Sequence, residues 1–193
     1  MSGPFSFNAE NQALAERIIA KYPAGRQASA VIPLLDLAQR QNGGWLSKEA
    51  MDFVGQTLDM ASIRVYEVAS FYTMFNLKPV GTHFVQVCTT TPCWLRGSDD
   101  VVSACKKSLG IGLGETTADH KFTLVEVECL GACVNASMVQ IGDDYYEDLT
   151  ADSMAAILED LKAGRTPKVG PQTSRKTSEP LPGLTTLQTV GQD

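Results

Sequence analysis

The sequence predicts an α+β or α/β protein in which a bundle of helices precedes a β-sheet with helices packed on it. Up to about residue 80, apolar residues recur at the spacing of amphipathic helices. At residue 83 this period gives way to the alternation typical of a β-strand. The later elements follow in the order β-α-β-β-β-α, which favours a layered sheet fold.

Four short helices joined by tight turns are predicted in residues 1–80. Asn8, Ser47 and Ser62 can cap the first, third and fourth helices, and Pro33 falls near the start of the second, where its missing N–H costs least. We expect Phe71, Tyr72 and Phe75 to pack in the core or between domains rather than against a partner. The other apolar positions are Ala13, Leu14, Ile18, Ile19, Ala30, Val31, Leu34, Leu35, Leu37, Ala38, Met51, Phe53, Val54, Leu58, Val65, Val68, Ala69 and Met74. A bundle this small is marginally stable alone, so it should pack on the rest of the chain or on a partner.

Residues 81–163 should form the sheet domain. Strands are predicted at 83–87 and 122–128, with a helix over 97–109 between them that permits parallel pairing through a right-handed crossover. Residues 138–147 resemble a hairpin, and an amphipathic helix over 150–163 closes the domain.

Residues 164–193 have the composition of a tail. They contain four Pro, four Gly, eight Ser or Thr and no aromatic residue, so they cannot bury a core of their own. Two interpretations are open: a disordered tail, or an arm that becomes ordered along a partner. The expected domains are therefore 1–80, 81–163 and 164–193.

The charge balance restricts the partners. The chain has 16 Lys and Arg against 22 Asp and Glu, a net charge of −6 and a pI near 4.9, which opposes binding to nucleic acid or to an anionic membrane. Residues 81–163 hold 5 basic and 13 acidic side chains. No apolar run approaches a membrane span, and the N-terminus resembles neither a signal peptide nor a mitochondrial presequence. We therefore expect a bacterial cytoplasmic protein without direct membrane insertion.

Four of the five cysteines form two pairs that each follow a predicted strand. Cys88 and Cys93 follow the first, and Cys129 and Cys133 follow the second. If these strands are parallel neighbours, their loops emerge at the same end of the sheet and four thiolates can converge on one metal centre. The fifth cysteine, Cys105, lies within a predicted helix and is expected to be a buried packing residue.

Cysteine pairs of this kind can serve four kinds of site. Structural disulfides would need an oxidising compartment, and the C-x-x-C of a catalytic dithiol is absent. A Cys₄ zinc module is chemically possible, although the C-x4-C spacing is at the margin of zinc knuckles. A [2Fe–2S] cluster with Cys₄ ligation is favoured. His83 and His120 lack partners at ligand spacing, and Trp94 could shield the cluster from water or contact a partner.

These motifs resemble the thioredoxin-like [2Fe–2S] subunit of respiratory NADH:quinone oxidoreductase (complex I), the 24 kDa-type subunit. The resemblance covers roughly residues 10–163 and rests on Cys88-x4-Cys93, on Cys129-Leu130-Gly131-Ala132-Cys133 and on Val68-Ala69-Ser70-Phe71-Tyr72-Thr73-Met74-Phe75. It implies a thioredoxin-like domain after a helical extension, with Cys88, Cys93, Cys129 and Cys133 as cluster ligands. Two positions depart from the family pattern: Ser137 replaces the usual Pro, and His120 stands where Gly often follows Asp.

The resemblance also implies a function. The chain would be a one-electron carrier that holds its cluster near the flavin of a partner, as part of an oxidoreductase but without a complete active site or catalytic residue of its own. FMN and NAD are expected on the flavin- and NADH-binding subunit, because the chain has no G-x-G-x-x-G. Other peripheral-arm subunits would be further partners, on the cytoplasmic face of the inner membrane. The equivalent subunit of an NAD-linked hydrogenase or formate dehydrogenase is the alternative.

Overall fold

Four helices and a single 3₁₀ turn at Gln27–Ala30 build the first part of the chain in the computed structural model, which describes residues 4–180, 182–183 and 186. Asn8 and Ser47 cap their helices as predicted: the Asn8 side chain accepts from the Asn11 N–H at 2.8 Å and Ser47 from the Ala50 N–H at 3.1 Å. The helices are α1 (Ala9–Ile19), α2 (Val31–Gln41), α3 (Lys48–Thr57) and α4 (Ser62–Phe71).

The prediction for the end of this bundle was partly wrong. Ala61 rather than Ser62 is the N-cap of α4, and the Ser62 side chain hydrogen-bonds to Asp52 instead. Helix α4 ends at Phe71, whose side chain is 77% exposed, whereas Phe75 is 5% exposed and packs in the core as expected. Periodicity predicted a helix here correctly, but it could not distinguish which aromatic residue lies beyond the helix end and turns inward.

A mixed six-stranded sheet follows, in a second unit that begins at His83. Strand β1 lies in the centre, parallel to β3 and antiparallel to β4, and the order across the sheet is β2-β3-β1-β4-β5-β6. The strands are β1 (His83–Cys88), β2 (Glu115–Thr116), β3 (Phe122–Val127), β4 (Val139–Ile141), β5 (Asp144–Glu147) and β6 (Gly170–Pro171). The mixed α/β class with an N-terminal helical part is thus confirmed, and so are the parallel β1–β3 pair and the β4–β5 hairpin.

The α-helices among the described residues of this sheet unit are α5 (Thr91–Leu95), α6 (Ser98–Leu109) and α7 (Ala151–Lys162), and a 3₁₀ turn spans Cys133–Asn135. Thr150 caps α7, since its side chain accepts from the Ser153 N–H at 3.2 Å. The buried faces of α6 and α7 share one apolar core with the central strands, and Cys105 lies in that core at 0% exposure, as predicted. The short α5 and β2 were not predicted, because five and two residues are too few to show a period.

The described part of the C-terminal segment packs on the sheet unit. Gly170 and Pro171 form β6, which pairs in parallel with β5. The other positions of the expected tail, 181, 184–185 and 187–193, lie outside the described residues. Within the part of the chain that the structure describes, no helix is long and apolar enough to cross a membrane.

Candidate metal centre

The two cysteine pairs emerge at the same edge of the sheet. Strands β1 and β3 run parallel in a six-residue register from His83↔Phe122 to Cys88↔Val127. Cys88 is therefore the last residue of its strand, and Cys129 follows two residues after the end of the neighbouring strand. Parallel strands place their carboxyl ends together, so the register brings both cysteine loops to one end of the sheet.

The first loop buries its two cysteines. Cys88 and Cys93 are each 1% exposed, and they pack with Ala136 and Met138 in a small apolar cluster. Cys93 lies in α5, whose first turn contains Pro92, a position where proline's missing N–H costs little. Burial, and then the hydrogen bond with Cys88, raise the pKa of the Cys93 thiol to about 12.

The second loop exposes its cysteines. The sulfurs of Cys129 and Cys133 are 3.3 Å apart, and both residues are exposed. Gly131 adopts a left-handed φ of 86°, and its N–H donates to the Cys129 sulfur at 3.4 Å. This backbone donor, followed by the hydrogen bond with Cys133, lowers the pKa of Cys129, whereas the bond with Cys129 raises the pKa of Cys133.

Contacts between the two loops support convergence of the four sulfurs. The Thr90 hydroxyl lies 3.3 Å from the Cys88 sulfur and also hydrogen-bonds to Cys129 in the other loop. Cys133 is close enough to Cys93 to raise the pKa of the Cys93 thiol by charge repulsion. The two predicted pairs therefore influence one another across the edge of the sheet.

The donor set suits a binuclear cluster. In the described residues, no group of three or more His, Cys, Asp or Glu side chains is arranged to hold a single metal ion. A [2Fe–2S] cluster distributes four thiolates over two irons, so its ligands need not surround one ion. Two facing cysteine pairs with a backbone N–H donor on a sulfur fit that group. Cys88, Cys93, Cys129 and Cys133 are thus the residues that could hold it.

Other candidate residues lie away from this set. Cys105 is in the apolar core of the sheet unit, where burial raises its thiol pKa to about 12. His83 is half-buried at the start of β1, beside the Phe122 ring, and burial lowers its pKa. His120 lies in a turn and has a left-handed φ of 55°, which explains why glycine would suit this position.

The sequence drew attention to Ser137 in the segment behind Cys133, but the contacts that hold this segment were not predicted. The Asn135 side chain is buried and donates to Glu147 at 3.0 Å and to the Thr177 carbonyl at 2.7 Å. The peptide bond between Ala136 and Ser137 is cis, and the buried Ser137 hydroxyl has no hydrogen-bond partner among the described residues. No local sequence signal identifies these contacts, because Thr177 lies more than forty residues from Asn135 in the chain.

Comparison with known proteins gives a consistent assignment. The model of the family described as thioredoxin-like [2Fe–2S] ferredoxin matches residues 15–162. A protein of Rickettsia bellii named as a subunit of NADH-quinone oxidoreductase is 63% identical over 158 residues, which cover 82% of this chain and 95% of that protein. The mitochondrial NADH dehydrogenase [ubiquinone] flavoprotein 2 of Dictyostelium discoideum is 59% identical over 184 residues, covering 95% of this chain and 74% of that protein.

A solved structure shares the fold. An NAD⁺-reducing [NiFe]-hydrogenase in its air-oxidized state aligns with a TM-score of 0.62 and 18% identity. The alignment covers 70% of this chain and 23% of the hydrogenase chain. At this level of identity the likeness concerns the fold alone.

Proposed function

Because this chain belongs to the thioredoxin-like [2Fe–2S] ferredoxin family, we propose that it is the one-electron carrier subunit of an NADH:quinone oxidoreductase. It is thus a subunit of an oxidoreductase and contains one iron–sulfur cluster. The observation that carries the proposal is the parallel β1–β3 register, which brings two cysteine pairs to one edge of the sheet. Relatives that share about three fifths of the sequence are named as subunits of this enzyme.

We propose Cys88, Cys93, Cys129 and Cys133 as the four ligands. When bound, a [2Fe–2S] cluster accepts and releases one electron at a time. The buried cysteines anchor one side of the site in apolar surroundings, and the exposed cysteines leave the other side open to a partner. The Gly131 N–H donates to sulfur and so stabilises the negative charge that reduction adds.

The acidic surroundings of the site oppose that added electron. Residues 81–163 carry a net charge of −8, from 5 basic and 13 acidic side chains. An added electron meets repulsion from this field, so the reduction potential should be low. Such a carrier suits electron exchange with a flavin that takes hydride from NADH.

Exposed apolar side chains follow a cysteine in each of the two loops. Trp94 and Leu95 follow Cys93 directly, Val134 follows Cys133, and all three side chains are exposed. Exposed apolar side chains beside a redox site are typical of a surface that another protein covers. We propose that the flavin- and NADH-binding subunit docks there, and that FMN and NAD are bound by that subunit.

The helical unit offers a second apolar surface. Ile63, Phe71, Met74 and Leu77 are largely exposed although the neighbouring core is well packed. We assign this surface to contact with other peripheral-arm subunits, which would hold the chain on the cytoplasmic face of the membrane. The equivalent subunit of a hydrogenase or formate dehydrogenase is the second candidate, since a hydrogenase shares the fold.

Single replacements of the cysteines test the ligand set. Changing Cys88, Cys93, Cys129 or Cys133 to Ala should abolish or disrupt the cluster, because each supplies one of four thiolates. Cys105→Ala is the matched control: it should retain about two irons and two sulfides per chain and cost about 1–2 kcal/mol of stability through lost packing. Stoichiometric zinc instead of iron, or cluster loss only in the control, would contradict the proposal.

Reduction by NADH tests the partner. NADH alone should not reduce the isolated chain at a useful rate, because hydride carries two electrons and the cluster accepts one. Adding the flavoprotein subunit of NADH:quinone oxidoreductase should restore reduction, whereas the corresponding hydrogenase subunit should not. The reverse preference would favour the second candidate.

A further inference from the structure

A buried ion pair joins the C-terminal segment to the sheet. The side chains of Arg175 and Asp148 are 9% and 7% exposed. The Arg175 Nε donates to Asp148 Oδ2 at 2.7 Å, and its Nη2 bonds the other carboxylate oxygen, so the pair is bidentate. Thr173 also donates to Asp148 Oδ2, at 3.1 Å. Such planar, forked pairs fix the geometry of both side chains.

The same guanidinium reaches the second cysteine loop. Arg175 Nη2 donates to the Val134 carbonyl at 3.1 Å, and Val134 directly follows Cys133. The next residue, Asn135, donates from its side chain to the Thr177 carbonyl at 2.7 Å, while its own carbonyl accepts from the Asp148 N–H at 2.8 Å. Residues 173–179 therefore hydrogen-bond to both of the two residues that follow Cys133.

The segment that carries Arg175 is itself attached to the sheet. Gly170 pairs with Tyr146 and Pro171 with Glu147, and the Gln172 N–H donates to the Glu147 carbonyl at 2.9 Å. Lys176 donates its N–H to Glu179 at 2.7 Å, which closes a turn just after Arg175. The segment is thus tied down before and after the residue that contacts the loop.

We propose that residues 170–179 form a strap that holds the Cys133 loop, with Arg175 as its positioning residue. The inference rests on the proposed function, because it takes Cys133 as a cluster ligand. Cys129 and Cys133 lie on an exposed loop with a left-handed glycine between them, so contacts within the loop alone hold it weakly. The strap adds a charge-assisted hydrogen bond at the backbone directly after the ligand.

The test compares Arg175→Gln with Arg165→Gln in the cluster-loaded full chain. Arg165 is the control, since it is another arginine of the C-terminal segment that pairs with an aspartate, Asp160 at 2.6 Å, in a solvent-exposed ion pair at the end of α7. Iron release to a chelator should be about tenfold faster in Arg175→Gln, as expected for one lost charge-assisted hydrogen bond, and unchanged in Arg165→Gln. The reduced cluster's electron paramagnetic resonance should shift only in Arg175→Gln, because a general loss of stability does not move a ligand.

A cluster-independent measurement separates this inference from the proposed function. In the cluster-free chain, amide hydrogen exchange over residues 133–137 should be faster in Arg175→Gln than in Arg165→Gln. If the chain never binds iron, this exchange still reports on the strap. The double variant Arg175→Gln with Asp148→Asn leaves no unpaired buried charge and serves if Arg175→Gln does not fold. Equal iron release and equal exchange in the Arg175 and Arg165 variants would overturn the inference.

Discussion

Replacing Gly131 by Ala separates backbone strain from the loss of a hydrogen bond to sulfur. Gly131 has a left-handed φ of 86°, and no atom of the described residues lies within 4 Å of the position that a Cβ would take. The cost of the substitution therefore comes from the backbone and not from a clash. At the same time, the Gly131 N–H is the donor to the Cys129 sulfur, 3.4 Å away.

The magnitude follows from these two facts. An L-residue in the left-handed region costs about 1–2 kcal/mol. Alanine also lowers the conformational entropy of the unfolded chain, which offsets about 0.4–1 kcal/mol of this cost. We expect Gly131→Ala to lower the free energy of unfolding by about 1 kcal/mol. If the loop relaxes towards a negative φ, the N–H turns away from the sulfur and the reduction potential of the cluster falls.

Gly142→Ala is the matched control for strain. Gly142 has a φ of 62° and its Cβ position is equally open among the described residues, but it lies in the β4–β5 turn, where its carbonyl accepts from Gln140. Urea unfolding should show a similar loss of stability in both variants, and a potentiometric titration should show a lower potential in Gly131→Ala only. The reasoning is refuted if both variants lower the potential equally, or if Gly131→Ala changes neither quantity.

Two further predictions concern stability away from the cysteines. The Tyr66 hydroxyl donates to Asp52 and, with Ser62 and Lys48, lowers the pKa of Asp52 to about 2. This contribution to stability is complete above the ordinary aspartate pKa and is lost as pH falls through about 2, where Asp52 is half protonated. Tyr66→Phe should therefore cost about 1 kcal/mol at pH 7 and progressively less below the ordinary aspartate pKa, measured by urea unfolding across that range; a constant difference would contradict this. His120 has a left-handed φ of 55°, which glycine adopts without strain. His120→Gly should therefore raise the free energy of unfolding by about 0.5 kcal/mol without altering the iron content. A lower unfolding midpoint in this variant would show that the histidine is not strained.

Much of the fold could be predicted from the sequence because the relevant signals are local. The periods of 3.6 and 2 residues located the longer helices and strands, and Asn8 and Ser47 cap the helices that their positions indicated. Where the signal was short or ambiguous, the prediction failed. The short elements α5 and β2 were missed. At the ends of α4, Ser62 was wrongly predicted as the cap and Phe71 as a packed residue. A helix end depends on which residue finds a partner outside the helix, and periodicity does not contain that information.

The sequence by itself determined that two cysteine pairs follow two strands, and their spacing indicated a shared metal centre. Only the tertiary structure decided that Cys88 and Cys93 are buried while Cys129 and Cys133 are exposed, and that Arg175 lies against the carbonyl of Val134. The spacing of the cysteines and the strands before them can be read from short stretches of sequence. Burial and the contact between Arg175 and Val134 join residues that are distant in the chain, so they depend on how the whole sheet unit packs.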